Sequence, residues 1–309
     1  MIVKNSLLGM AIGESFGLPI KNVKRQVLLD NPVTNMNKPS DDIPKGTWSF
    51  GTSTALAVID SIIMCKEISL NDIANNFCSI IKDGNFTALD KMISIDDTNK
   101  KALTKYMNNM KLEVSEENEI KELTNTCLPR MVPITLYCFY NKLRDHEIFE
   151  NVRDVCKITH SSDVCTLGSY IFVKYLLFIL NGKDKYASYN MIKLLDYREF
   201  FDEDIVEYYN RLLKTDISHI RVDDLKSTDY IVYTLETIIW VILNCSSFAE
   251  TIVGAANLGG DTDIITLLVG SIAGIIYGQE NIPSKWLECL KKINYLEDIA
   301  TRFEKELER

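Results

Sequence analysis

The sequence predicts an all-α protein, a single compact multi-helix domain over residues 1–309. Three observations carry that prediction. In residues 52–65 (TSTALAVIDSIIMC) and 70–81 (LNDIANNFCSII), apolar side chains recur every three or four positions, the period of one buried helix face. Residues 131–143, 164–180, 230–243 and 248–256 are apolar on most faces, the pattern of helices at the centre of a fold. Alternating apolar–polar runs are scarce, and neither an internal repeat nor a linker-like stretch divides the chain.

Taken in order, residues 31–44 (NPVTNMNKPSDDIP) read as one loop inside the domain. Ser69 or Asn71 opens the 70–81 helix, Ser227 the 230–243 helix and Ser247 the 248–256 helix. Their side-chain oxygens can accept from the free N–H groups of a first helical turn. The last apolar run, residues 264–278, follows a glycine pair and reads as a buried helix. Within it Gly270 and Gly274 share a face and predict close packing against the 230–243 helix.

Composition narrows the partners. Hydrophobic residues make up 46% and charged residues 25%, which is ordinary globular usage. A net charge of −9 and a pI near 5.0 exclude a nucleic-acid backbone as the main partner. The eight cysteines stand singly, with no C-x-x-C pair and no signal peptide at the start, so reduced thiols and a cytoplasmic location are expected. The longest apolar stretches, 170–180 and 231–243, are too short or interrupted for a membrane span, and no membrane partner is expected.

The segment Asn257-Leu258-Gly259-Gly260-Asp261-Thr262-Asp263 carries the most chemistry. Two carboxylates two residues apart, after a glycine pair and at the mouth of a helix, supply the oxygen ligands that hard cations such as Mg²⁺ require. The glycines permit a tight turn and close approach of a ligand to the main chain. The alternative is local: Asp261 caps the helix and Asp263 sits in its first turn, favoured by the macrodipole.

The segment 257–278, NLGGDTDIITLLVGSIAGIIYG, resembles the C-terminal signature of the ADP-ribosylglycohydrolase family, N-x-G-G-D-x-D-T followed by an apolar helix. Ile282-Pro283 and Trp286 follow at the matching places. Residues 8–17, LGMAIGESFG, look like the opening G-x-x-x-G-D-A-x-G helix, with Glu14 in place of Asp. Residues 125–133, NTCLPRMVP, are similar to G-N-G-x-x-M-R-x-x-P; Thr159-His160-Ser161 looks like T-H-x, and Tyr230 stands at a G-Y dipeptide. The resemblance spans nearly the whole chain in family order. It implies hydrolysis of the glycosidic bond of an ADP-ribosylated protein or an ADP-ribose-like small molecule, helped by a pair of Mg²⁺ or Mn²⁺ ions. It also implies Asp261 and Asp263 as catalytic residues and, with Ser49, as metal ligands. Asn125, His160, Tyr230, Gly259 and Gly260 would bind substrate.

One segment departs from the family. Residues 46–56, GTWSFGTSTAL, align with G-x-W-T-D-D-T-x-M-x-L, but Phe50 and Gly51 replace both aspartates and Ser49 the threonine. Ile264 replaces the threonine that ends D-x-D-T, and Lys21 stands where many members carry a glutamate. Two carboxylates offset one divalent charge, so at most one ion is expected, and metal-dependent hydrolysis is expected to be impaired. Phe50 is expected beside the space of the missing ions, with Lys21 the first basic side chain to pair with Asp261 and Asp263. The competing function class is a catalytically inactive module that binds ADP-ribose, a nucleotide or a protein.

Simpler roles stand beside the functional ones. Asn125 can organise a turn, His160 can be a satisfied helix-end histidine, and Tyr230 can be core. Arg130 can bind phosphate or anchor carboxylates inside the fold, while His146 and His219 read as surface residues. No H-E-x-x-H, G-x-x-x-x-G-K-[ST] or G-x-G-x-x-G motif is present.

Overall fold

Two helices from opposite ends of the chain form the axis of the fold. The computed structural model describes residues 1–112 and 123–309. Helix α1 spans Ile2–Gly17; α2, α3, α4 and α5 span Arg25–Asp30, Phe50–Cys65, Leu70–Asp83 and Asp97–Asn109. Next come α6 (Met131–Tyr140), α7 (Asp145–Lys157), α8 (Asp163–Leu180), α9 (Lys185–Lys193), α10 (Glu203–Glu207) and α11 (Asn210–Lys214). The chain closes with α12 (Ile231–Asn244), α13 (Phe248–Ala256), α14 (Thr262–Tyr277), α15 (Ser284–Leu287) and α16 (Ile293–Leu307). The protein is all-α. Among the described residues, β pairing is confined to the isolated bridges Ser40–Ile43 and Thr124–Tyr230.

Helices α1 and α14 cross antiparallel with their backbones in contact. A Cβ on Gly9 would lie 2.1 Å from Gly270 O, one on Gly13 2.0 Å from Thr266 O, and one on Gly274 2.1 Å from Asn5 O. Glycine is required there because any side chain would drive the helices apart. Gly270 and Gly274 therefore serve the approach of α1, where the sequence reading assigned it to the 230–243 helix. That helix, α12, is buried and does pack against α14. The crossing sets the C-terminal end of α1 against the N-terminal end of α14, and the candidate site lies at that junction.

Boundaries follow capping chemistry in part. Ser247 caps α13 by accepting from Glu250 N–H, as expected, and Ser69 occupies the N-cap of α4 without a side-chain bond. Ser227 does not open α12. Tyr230 occupies that cap, and Ser227 Oγ instead donates to Leu258 O at 3.0 Å. Helix α3 begins at Phe50, two residues before the expected start. Helices α5, α7 and α16 lie outside the expectations, although the buried Ile148, Val152, Val155 and Cys156 of α7 trace a legible helix face. Helix α8 has the length and hydropathy to cross a membrane by composition alone. Its 83% burial among neighbouring helices is that of a core helix.

Candidate functional site

After α1 the chain makes a short 3₁₀ turn, Leu18–Ile20, and reaches Lys21. The next two residues are clamped to the glycine turn before α14: Asn22 N–H donates to Gly260 O at 2.7 Å, and Gly260 N–H donates to Val23 O at 2.9 Å. Asp261 N–H donates to Ser227 O at 2.8 Å, closing the turn from the other side. Gly259 and Gly260 have φ of +70° and +76°, which glycine alone adopts readily. Their open faces are taken by protein, since a Cβ on Gly259 would meet Val23 O at 2.6 Å and one on Gly260 would meet Ser227 O at 1.9 Å. The glycine pair thus admits the protein's own backbone at the points where the sequence suggested a ligand.

This clamp places Lys21 over the two aspartates. Lys21 Nζ donates to Asp263 Oδ2 at 2.7 Å and lies 3.5 Å from Asp261 Oδ1. Asp261 and Asp263 are buried, while the Lys21 side chain is 37% exposed at the rim. Asp261 is the N-cap residue by position, yet its side chain makes no cap hydrogen bond. Its Oδ2 accepts from Asn125 Nδ2 at 2.8 Å instead, so the local capping alternative does not describe it. Asn125 also donates to Thr234 Oγ1 at 2.8 Å, and Asn125 Oδ1 and Asp263 Oδ1 are buried without hydrogen-bond partners.

Glu14, fully buried on α1, takes a role the sequence did not disclose. Its Oε1 accepts from Ser49 Oγ at 2.6 Å and Gly51 N–H at 3.0 Å, and its Oε2 from Thr52 N–H at 2.9 Å. A carboxylate thereby caps the N-terminus of α3 from another helix. An acid inside the apolar run SLLGMAIGESFG was the available signal. Ser49 is committed to Glu14, and a Cβ on Gly51 would sit 2.5 Å from Leu267 Cδ1 and 3.0 Å from Glu14 Oε1. Phe50 is buried; the gap it lines is walled by Ser49, Ser53 and Lys91 together with apolar neighbours such as Trp48 and Ile80, and neither aspartate is in that wall.

The remaining predicted residues form a threonine-rich flank. His160 is buried, with Nδ1 2.7 Å from Thr159 Oγ1 and Nε2 2.9 Å from Thr124 Oγ1, next to the Asn125 turn. Arg130 is fully buried and binds Thr159 Oγ1 at 2.9 Å and Asn99 Oδ1 at 2.8 Å, while Asn99 Nδ2 reaches Asp96 Oδ2 at 2.7 Å. It anchors acceptors within the fold. Tyr230 is half-buried, packs edge-on to Tyr233 and bridges to Thr124. Asn125, Asp261, Asp263 and Lys21 are in direct contact; His160 and Tyr230 flank them through Thr124. Ser49 is tied to the same region through Glu14. His146 and His219 are exposed.

The ADP-ribosylglycohydrolase profile matches residues 2–309. The chain belongs to the ADP-ribosylglycohydrolase family. It is similar to "ADP-ribosylarginine hydrolase Tri1" of Serratia proteamaculans, with 24% identity over 96% of this chain and 77% of that protein. It is 37% identical to "ADP-ribosyl-[dinitrogen reductase] glycohydrolase" of Rhodospirillum rubrum over 21% of this chain and 22% of that protein. A solved structure titled "ADP-ribosylglycohydrolase-related protein complex" shares the fold, with a TM-score of 0.80 and 20% identity over 99% of this chain and 98% of that one.

Members of this family usually bind metal ions, and the residues here do not fit one. Hard divalent cations take about six oxygens, several of them anionic. Glu14 and Ser49 are spent on the α3 terminus, and Asp261 and Asp263 are engaged by an ammonium. Asp263 Oδ1 is the carboxylate oxygen of that pair left without a partner. Among the described residues, no group of three His, Cys, Asp or Glu side chains is arranged to hold an ion.

Burial, and next the neighbouring Asp263, push the Asp261 carboxyl up to about 6, against the pull of Lys21 and Asn125. Burial also raises Asp263. A raised acid favours the folded state where it is protonated there and ionised in the unfolded chain. Stability contributed by Asp261 is therefore highest below the unfolded value of 3.8 and falls as pH rises through about 6. Urea titrations at pH 4.5 and 7 are expected to show most of this loss, roughly 2 kcal/mol, in the wild type relative to Asp261→Asn. Equal pH slopes in the two proteins would rule it out.

Proposed function

We propose that this protein recognises the ADP-ribosyl group of a modified protein or small molecule and has little or no metal-dependent hydrolysis. The single observation behind this reading is the Lys21 ion pair, which supplies protein charge to Asp261 and Asp263. Membership of the family supports the ligand class, and the names of its relatives indicate ADP-ribosylated arginine or protein as the modified group. Asn125, His160, Tyr230 and the rim of Lys21 are the groups assigned to the ligand. A reducing, cytoplasmic setting is part of the same proposal, in keeping with eight cysteines that form no disulfide among the described residues.

Calorimetry with ADP-ribose tests recognition. Binding is expected with the same affinity in EDTA and in excess Mg²⁺. An ADP-ribosylarginine protein substrate tests turnover, and the rate should fall at least about a thousandfold below that of an active relative assayed alongside, the size of effect expected when transition-state charge stabilisation is lost. Mg²⁺-stimulated turnover close to the relative's rate would refute the loss of hydrolysis. Absence of ADP-ribose binding would refute recognition.

A further inference from the structure

We infer that the Lys21 ammonium is a resident cation that closes this cleft to divalent metals, and that removing it would open a metal site on Asp261 and Asp263. The ammonium contacts an oxygen of each aspartate, at 2.7 Å and 3.5 Å, which are ordinary charge-assisted and ion-pair separations. A metal bound to the same oxygens would stand within a few ångströms of Nζ. Like charges at such distances repel strongly in a poorly solvated pocket.

Lys21 is also held in place by its backbone. Pro19 lies in the 3₁₀ turn on one side, and the paired hydrogen bonds between Asn22–Val23 and Gly260 hold the other. Asn22 itself has φ of +64°, a left-handed conformation that asparagine tolerates better than most residues. The chain therefore delivers an aliphatic arm of fixed origin to the carboxylates, and only side-chain rotamer entropy remains to be lost in forming the pair.

The carboxylates could serve a metal once the ammonium is gone. Asp263 Oδ1 is buried and unpartnered, Asp263 Oδ2 and Asp261 Oδ1 would be released, and Asp261 Oδ2 would stay oriented by Asn125. Removing Lys21 leaves two buried carboxylates uncompensated, and a divalent cation restores the balance.

The probe is Mn²⁺ alone, followed by electron paramagnetic resonance of free Mn²⁺ and by thermal melting. Wild type should show no saturable binding and no Mn²⁺-dependent shift in Tm. Lys21→Gln should bind one Mn²⁺ at least about tenfold more tightly than wild type, as added ligand charge does in other oxygen-ligand sites, and its Tm should rise with Mn²⁺. Lys21→Arg, which keeps the charge, should behave as wild type. Saturable Mn²⁺ binding by wild type overturns the inference without any variant, as does equal binding by Lys21→Arg and Lys21→Gln. A folded Lys21→Gln blind to Mn²⁺ overturns it as well. If Lys21→Gln melts below working temperature, recovery of its fold by Mn²⁺ is the expected result and no recovery counts against the inference. These readouts contain no ADP-ribose, so their failure is distinct from failure of ligand recognition.

Discussion

Gly13→Val is expected to destabilise the protein by at least about 4 kcal/mol, at the upper end for a single substitution. The added Cβ would lie 2.0 Å from Thr266 O and 2.6 Å from its carbonyl carbon, both backbone atoms of α14. Neither can turn aside as a side chain can, so the two helices must separate along their length. That separation would loosen the neighbouring contacts of Gly9 with Gly270 and of Gly17 with Thr262, which share the register. It would also strain the clamp that seats Lys21 over Asp261 and Asp263, because its two sides follow α1 and precede α14. Gly254→Ala is the control: its Cβ would meet only Cys245 Sγ, at 3.3 Å, in the helix α13. There a gain or loss within about 1 kcal/mol is expected, since alanine is the better helix former. Chemical denaturation of the three proteins decides it. A Gly13→Val protein within about 1 kcal/mol of wild type would show that α1 and α14 do not touch through their backbones.

Glu14 and Gly51 are expected to be energetically coupled by about 2 kcal/mol or more. Glu14→Ala leaves Gly51 N–H, Thr52 N–H and Ser49 Oγ without their buried acceptor, which should cost about 3–5 kcal/mol. Gly51→Asp alone adds a second acid against Glu14 Oε1 and crowds Leu267 and Ile264, and should destabilise too. In the double variant the carboxylate of residue 51 replaces the one removed from residue 14, and part of each loss should return. Here α1 supplies the negative charge at the α3 terminus, where the family's motif carries aspartates on α3 itself. A double-mutant cycle by urea unfolding gives the coupling directly. Additivity within about 0.5 kcal/mol would mean the two positions are independent. Gly51→Asp also bears on metal binding: an aspartate at 51 must first displace the side-chain ends of Leu267, Glu14 and Ile264.

Local chemistry made the helices readable. The three- and four-residue apolar spacing of α3 and α4, and the all-round apolarity of α8, α12 and α14, reflect burial that each segment must satisfy on its own faces. Ser247 was legible as a cap because its acceptor serves an N–H three residues away. Ser227 was misread because its hydroxyl answers to Leu258, 31 residues on, and nothing within its own segment signals that. Helices α7 and α16 carry apolar stripes as regular as that of α4 and are legible by the same spacing, whereas α5 has few apolar residues and its stripe stands out less.

For the site, the sequence by itself determined which charged groups exist: Asp261 and Asp263 behind a glycine pair, Lys21 in place of an acid, and apolar residues at 50 and 51. Charge counting needs only residue identity, so the expectation of a weakened cation site needs no coordinates. Only the tertiary structure decided where those charges are spent. It paired Lys21 with residues 240 and 242 positions away, turned Asn125 toward Asp261 and sent Glu14 to the α3 terminus. It also closed the glycine turn with the backbones of Val23 and Ser227, and kept both aspartates out of the wall of the Phe50 gap. The physical reason is range. Periodicity and capping act over one or two helical turns, whereas these contacts join segments far apart in the chain, the Lys21 pair at the antiparallel crossing of α1 and α14 and the Asn125 and Glu14 contacts between other segments.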